Sequence, residues 1–165
     1  MKIVSLLPAA TEILCDMGLA EYISAVSHEC DYPSTIKNKI KITSSIIPNN
    51  TNQNAINKTV KEAVKNNIPL YEVDNEQLNK INPDLIITQG LCDVCSISED
   101  KIQATLKNNL CTLSSSTEII SLNGITFDEI CSDILTVGIA VNKEEIAQKL
   151  IKEAVGTRHK ITKER

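Results

Sequence analysis

Pro83–Cys95, PDLIITQGLCDVC, is the stretch on which the reading of this chain turns. Leu85, Ile86, Ile87 and Thr88 form an apolar run without polar alternation, bounded by Pro83 and Gly90. A strand of that kind is buried on both faces, as in the interior of a parallel sheet. It runs directly into a polar loop that carries Gln89, Cys92 and Cys95. Open parallel sheets bind ligands outside the carboxyl ends of their strands. These residues are therefore expected on the functional edge. A second loop, Ser27–His28–Glu29–Cys30–Asp31–Tyr32–Pro33, follows the apolar segment Ile23–Val26 and is expected at the same edge.

The rest of the chain alternates strands and helices. Lys2–Leu7 predicts a first strand, and Pro8-Ala9-Ala10 turns it into a helix with Ala10, Ile13, Leu14 and Met17 on one face, ended by Gly18. Lys39–Ile42 reads as an edge strand and Ser44–Asn54 as a surface loop. An amphipathic helix is predicted over Ala55–Asn66 and a strand over Leu70–Val73. Asp74 with Gln77 caps a short helix to about Ile81, and Ser98 caps another through Leu106. Leu110–Ser114 reads as a strand and Ile119–Leu122 as a shorter extended piece. Thr126 and Glu129 form a capping box before the stripe Phe127, Ile130, Ile134 and Val141. Asn142 and Glu145 repeat the cap pattern before Ile146, Leu150 and Ile151.

This order predicts an α/β fold: a three-layer, Rossmann-like lobe with a mostly parallel sheet, followed by a long C-terminal helix. Residues 1–141 make the lobe, and 142–165 a connecting-type helix with a charged tail. Right-handed crossovers put the loops after Leu7, Val26 and Thr88 on one edge.

Composition narrows the classes. The chain has 165 residues, 42% hydrophobic and 23% charged, which suits one domain with its own core. Aromatics make up 2%, so the core is aliphatic. The net charge of -4, with dispersed lysines, argues against a nucleic-acid partner. Met1-Lys2 leads straight into a strand, and Glu12 and Asp16 interrupt any apolar leader. The 6 cysteines then read as reduced thiols of a cytoplasmic protein, or of an extracytoplasmic one whose leader or anchor has been lost.

Cys92-Asp93-Val94-Cys95 has the spacing of a metal half-site or a redox pair; two thiols that simply pack along a cleft have it too. His28 and Cys30 would complete a four-ligand set for zinc or iron if the two loops meet. His28 is one of 2 histidines, flanked by Glu29, Cys30 and Asp31, and its imidazole suits a metal or a ligand amide. Pro8, Ala9 and Thr11 at the start of the first helix offer free N–H donors and little bulk. Tyr32 supplies a flat surface, or a turn anchor. Cys15, Cys111 and Cys131 fall within elements and read as small core residues. No Ser-His-Asp order, phosphate loop or HExxH occurs, so nothing demands an enzyme.

Three segments carry a resemblance: SLLPAATEIL (Ser5–Leu14), VSHECDYP (Val26–Pro33) and NPDLIITQGLCDVC (Asn82–Cys95). Together they resemble the helical-backbone (class III) substrate-binding proteins of ABC importers, most closely the cobalamin-binding branch. That family has two lobes joined by one long helix, with ligand between them. The resemblance implies that this chain is the N-terminal lobe alone, truncated or split, ending after a spine-like segment at Lys143–His159. It implies a non-catalytic lobe for a corrinoid or an iron chelate, with cobalamin as ligand rather than resident cofactor. Pro8, Ala9, Thr11, His28, Glu29, Cys30, Asp31, Tyr32, Gln89, Cys92 and Cys95 would border the ligand. The partners implied are an ABC permease, onto which Glu99 would dock, and a second-lobe chain. The stripe Ile146, Leu150 and Ile151 also suits a homodimer. The alternative is a small cytoplasmic metal-binding or thiol-redox module using Cys92 and Cys95 with Cys30 and His28.

Overall fold

Three residues, Ile3–Ser5 (β1), form the centre of the sheet, and none exposes any surface. The computed structural model describes residues 1–47, 52–66, 68, 70–89 and 116–163. The chain continues through α1 (Pro8–Asp16), β2 (Ile23–Val26), β3 (Ile40–Lys41), β4 (Thr43–Ser45), α2 (Gln53–Lys65), β5 (Tyr71–Val73), α3 (Asn75–Ile81) and β6 (Leu85–Gln89). After residue 115 come β7 (Glu118–Leu122), α4 (Phe127–Ala140) and α5 (Glu144–Lys163). The helix expected from Ser98, the strand at Leu110–Ser114, and Cys92, Cys95, Glu99 and Cys111 lie outside the described residues.

The main sheet has 5 strands in the order β3-β2-β1-β6-β7, each pair parallel. Alternation along β1 and β6 sends side chains to both faces. Ile3, Leu85 and Ile87 join Ala10 and Leu14 of α1, Val137 of α4 and Ala147 of α5 in one core. Val4, Ile86 and Ala25 join Ile42 and the α3 residues Leu78 and Ile81 in the other. The result is the expected three-layer α/β lobe, with a long closing helix whose first turns belong to the same core.

The helix ends follow their sequence signals with one exchange. Gly18, at φ 76, closes α1: its N–H reaches Cys15 O at 2.9 Å and Leu19 N–H reaches Leu14 O at 2.9 Å. The expected caps at Asp74 and Thr126 are present, the second as a full capping box. Asn142 differs. It adopts φ 56 and ends α4, with Lys143 N–H on Gly138 O at 2.7 Å and Asn142 N–H on Ile139 O at 3.1 Å. The turn between α4 and α5 is so short that the residue expected to start the second helix is consumed in ending the first.

Two further departures concern strands. Thr43–Ser45, assigned in part to a surface loop, is β4, and it pairs antiparallel with β5 in a separate 2-stranded ribbon. Thr-Ser-Ser has no apolar alternation, and its partner lies far along the chain, so nothing local announces the pairing. Ile119–Leu122, read as a short extended piece, belongs to a 5-residue edge strand in register with β6 from Leu85↔Glu118 to Gln89↔Leu122.

The α4–α5 contact depends on a missing side chain. A Cβ on Gly138 would lie 2.5 Å from Ala147 Cβ, whereas one on Gly156 would meet nothing within 4 Å. Gly138→Val should therefore lower stability in urea unfolding by about 1–3 kcal/mol. Gly156→Ala should leave it unchanged or raise it by roughly 0.5–1 kcal/mol.

Candidate functional site

All strands of the main sheet point the same way, so the ends of β1, β2 and β6 share one edge. The chain moves outward from β1 to β2 and β3 on one side, and from β6 to β7 on the other. The switch point, where ligands enter such sheets, lies between β1 and β6. Pro8 and Ala9 are exposed there, at the start of α1. The N-cap Leu7 makes no side-chain cap bond, so the first-turn N–H groups face the edge. Gln89 closes β6, half-buried. The strand ends that carry the two predicted loops are thus neighbours across β1.

Beneath this edge runs a buried chain of hydroxyls headed by a thiol. Cys30 is 1% exposed, and Thr11 and Ser5 are 0% exposed. Cys30 Sγ lies 3.2 Å from Thr11 Oγ1, which donates to Ser5 Oγ at 2.8 Å, which donates to Leu7 O at 3.1 Å. Burial pushes the Cys30 thiol's pKa up, against the opposing pull of Thr11's hydrogen bond. The thiol thus keeps its proton at neutral pH and serves as the donor to Thr11. Lys41 Nζ donates to Cys30 O. These bonds join the start of α1 to the loop after β2. A protonated, buried thiol is a poor nucleophile and a poor metal ligand.

His28 faces a different set of neighbours. Its backbone N–H donates to Thr43 Oγ1 at 2.9 Å, and its Nδ1 lies 2.6 Å from the same oxygen. Thr43 in turn donates to Ser27 Oγ at 3.2 Å. The imidazole tilts at 45° against the Tyr71 ring, with centroids 5.3 Å apart. Nε2 approaches Glu29 Oε1 to 3.2 Å but forms no hydrogen bond with any described residue. The ion-pair distance and the missing bond are compatible, because a ring nitrogen bonds only in its plane and along one direction. Thr43 and Tyr71 were not legible from the sequence, since both sit on the ribbon that had no local signal. Glu29 and Asp31 are exposed, and Tyr32 is 65% exposed.

The loop after β2 therefore splits. His28 turns to the ribbon, and Cys30 turns into the core with α1. Among the described residues, no three His, Cys, Asp or Glu side chains group to hold a metal ion. Cys15 packs against the core as a small residue, with its pKa raised mainly by burial, and Cys131 is half-buried on α4.

No protein-family model and no curated protein matches the sequence. Solved structures match its fold. A possible iron-binding, periplasmic solute-binding protein of Staphylococcus epidermidis aligns over 98% of this chain and 49% of its own, at TM-score 0.65 and 24% identity. The periplasmic heme-binding protein HutB of Vibrio cholerae aligns over 100% and 50%, at 0.66 and 18%. The periplasmic vitamin B12-binding protein BtuF of the same organism aligns over 92% and 46%, at 0.59 and 22%. The chain spans about half the length of each, and the resemblance read from its three segments holds at the level of fold. The expected cytoplasmic location finds no support in these neighbours, which are periplasmic. No helix among the described residues is long and apolar enough to cross a membrane.

The thiol–hydroxyl chain is open to a direct check. Thr11→Val keeps the shape but leaves the Cys30 and Ser5 groups short of a partner, and should cost about 1–3 kcal/mol in chemical denaturation. In the folded wild type, Cys30 should resist iodoacetamide and become labelled only when urea unfolds the chain, as read by peptide mass spectrometry.

Proposed function

We propose that this chain is a non-catalytic binding lobe for a metal-centred macrocycle, a corrinoid before an iron chelate, serving an ABC permease. The observation that carries the reading is the shared edge. The ends of β1, β2 and β6 leave the sheet side by side, with Pro8, Ala9, His28, Glu29, Asp31, Tyr32 and Gln89 on or next to them. The names of the structural neighbours, which include heme-, vitamin B12- and iron-binding proteins, support the same class of ligand.

In this reading each residue has a task. Tyr32, exposed and flat, lies against the macrocycle. The first-turn N–H groups at Ala9 take carbonyl oxygens of ligand amides, and Glu29 and Asp31 take their N–H groups. His28 meets the metal. Thr11 and Cys30, buried below, hold the two loops in place, while Cys92 and Cys95 continue the rim. Glu99 docks on the permease. Residues 142–165 act as the connecting helix, and a second lobe or a second copy covers the other ligand face across Ile146, Leu150 and Ile151. A single lobe buries less ligand than a closed cleft, so its affinity alone is modest. An extracytoplasmic setting goes with this role. The alternative, a zinc- or iron-binding or thiol-redox module, needs Cys30 to join Cys92 and Cys95. Its protonated, core-facing thiol weighs against that.

Titration with hydroxocobalamin tests the reading. A saturable change in the visible spectrum, absent in His28→Ala, is the expected result. No spectral change and no calorimetric heat at high protein concentration would overturn it. Haemin titrated in parallel separates a corrinoid site from a haem site.

A further inference from the structure

We propose that Thr43 fixes the proton of His28 on Nδ1, so that Nε2 presents its lone pair to the metal centre of the ligand. The second half rests on the binding role proposed above; the first stands by itself.

The argument is a count of protons. A threonine hydroxyl has one proton to give and two lone pairs that accept. Thr43 gives its proton to Ser27 Oγ at 3.2 Å. One lone pair takes the His28 backbone N–H at 2.9 Å. What remains 2.6 Å from Nδ1 is an acceptor, so Nδ1 carries the hydrogen. A neutral imidazole then has its lone pair on Nε2. The opposite tautomer would reverse both hydroxyl donors and leave an N–H on Nε2 without a hydrogen bond, despite Glu29 Oε1 at 3.2 Å. A buried donor without a partner is costly.

The Nδ1–H form places a lone pair beside a carboxylate oxygen. Two electron-rich atoms this close repel, and a cation near both relieves them. Metal-ligating histidines are commonly oriented by a bond from their other ring nitrogen to a second residue. Thr43 has that position, and it also grips the histidine by its backbone. The Tyr71 ring, 5.3 Å away, limits ring rotation from the other side. Thr43 is thus a positioning residue, brought to His28 by the pairing of β4 with β5.

Long-range proton–nitrogen NMR of the full chain labelled at histidine nitrogens reads the tautomer directly, at about pH 8, where an unperturbed imidazole is neutral. The chain has 2 histidines, and exposed His159 is the internal reference, assigned with His159→Gln. Wild type and Thr43→Ser should both show His28 protonated on Nδ1, and Thr43→Val should lose that pattern and approach His159. A wild-type His28 protonated on Nε2 overturns the proposal, even if Thr43→Val does not fold. So does an unchanged pattern in a folded Thr43→Val. Hydroxocobalamin affinity should fall about 10–100-fold in Thr43→Val and recover in Thr43→Ser. An Nδ1-protonated wild type that binds no hydroxocobalamin would keep Thr43's role and remove the metal contact.

Discussion

Everything at the candidate site depends on the parallel pairing of β1 with both of its neighbours. Ser5 stands opposite Val26 on one side and Ile87 on the other. The ladders do not stop at the strand ends. Ser27 N–H reaches Ser5 O at 2.9 Å, and Leu6 N–H reaches Ile87 O at 2.8 Å. Those bonds carry the order of the sheet into the first residues of the loops. Because a parallel ladder requires every strand to run the same way, three loops far apart in sequence emerge together.

The loop after β2 shows how such an edge is made rigid and chemically useful at once. Cys30 is drawn into the core and bonded to Thr11, which ties the loop to α1. His28 is drawn the other way, onto the ribbon, and bonded to Thr43. Opposed anchors on nearly adjacent residues leave Glu29 and Asp31 to solvent. A loop held at several points loses less conformational freedom when it meets a ligand. The thiol in this loop thus acts as a structural donor, and the imidazole is the group left with an unused ring nitrogen.

Much of the architecture was legible residue by residue. Leu85–Thr88 announced a two-sided buried strand, Thr126 with Glu129 a helix start, and Gly18 a helix end. Each signal is local: an apolar run, a cap and a left-handed glycine act within a few positions of themselves. The ribbon was invisible for the same reason. Thr43–Ser45 is polar, and its stability as a strand comes from Tyr71–Val73, not from its own composition. Asn142 carried an ambiguous signal, since asparagine suits both a helix start and a left-handed end. The tight turn at Val141–Lys143 decided between them.

The amino-acid order therefore determined the class of fold, the strands that end at the functional edge and the residue types that gather there. Burial periodicity and capping chemistry are written in short windows of chain. Tertiary structure alone decided that Thr43 and Tyr71 would stand against His28, that Cys30 would face Thr11, and that Glu29 would lie beside Nε2. Those contacts join segments far apart along the chain or turn adjacent side chains in opposite directions, and their geometry exists only once the sheet and ribbon have closed around the loop.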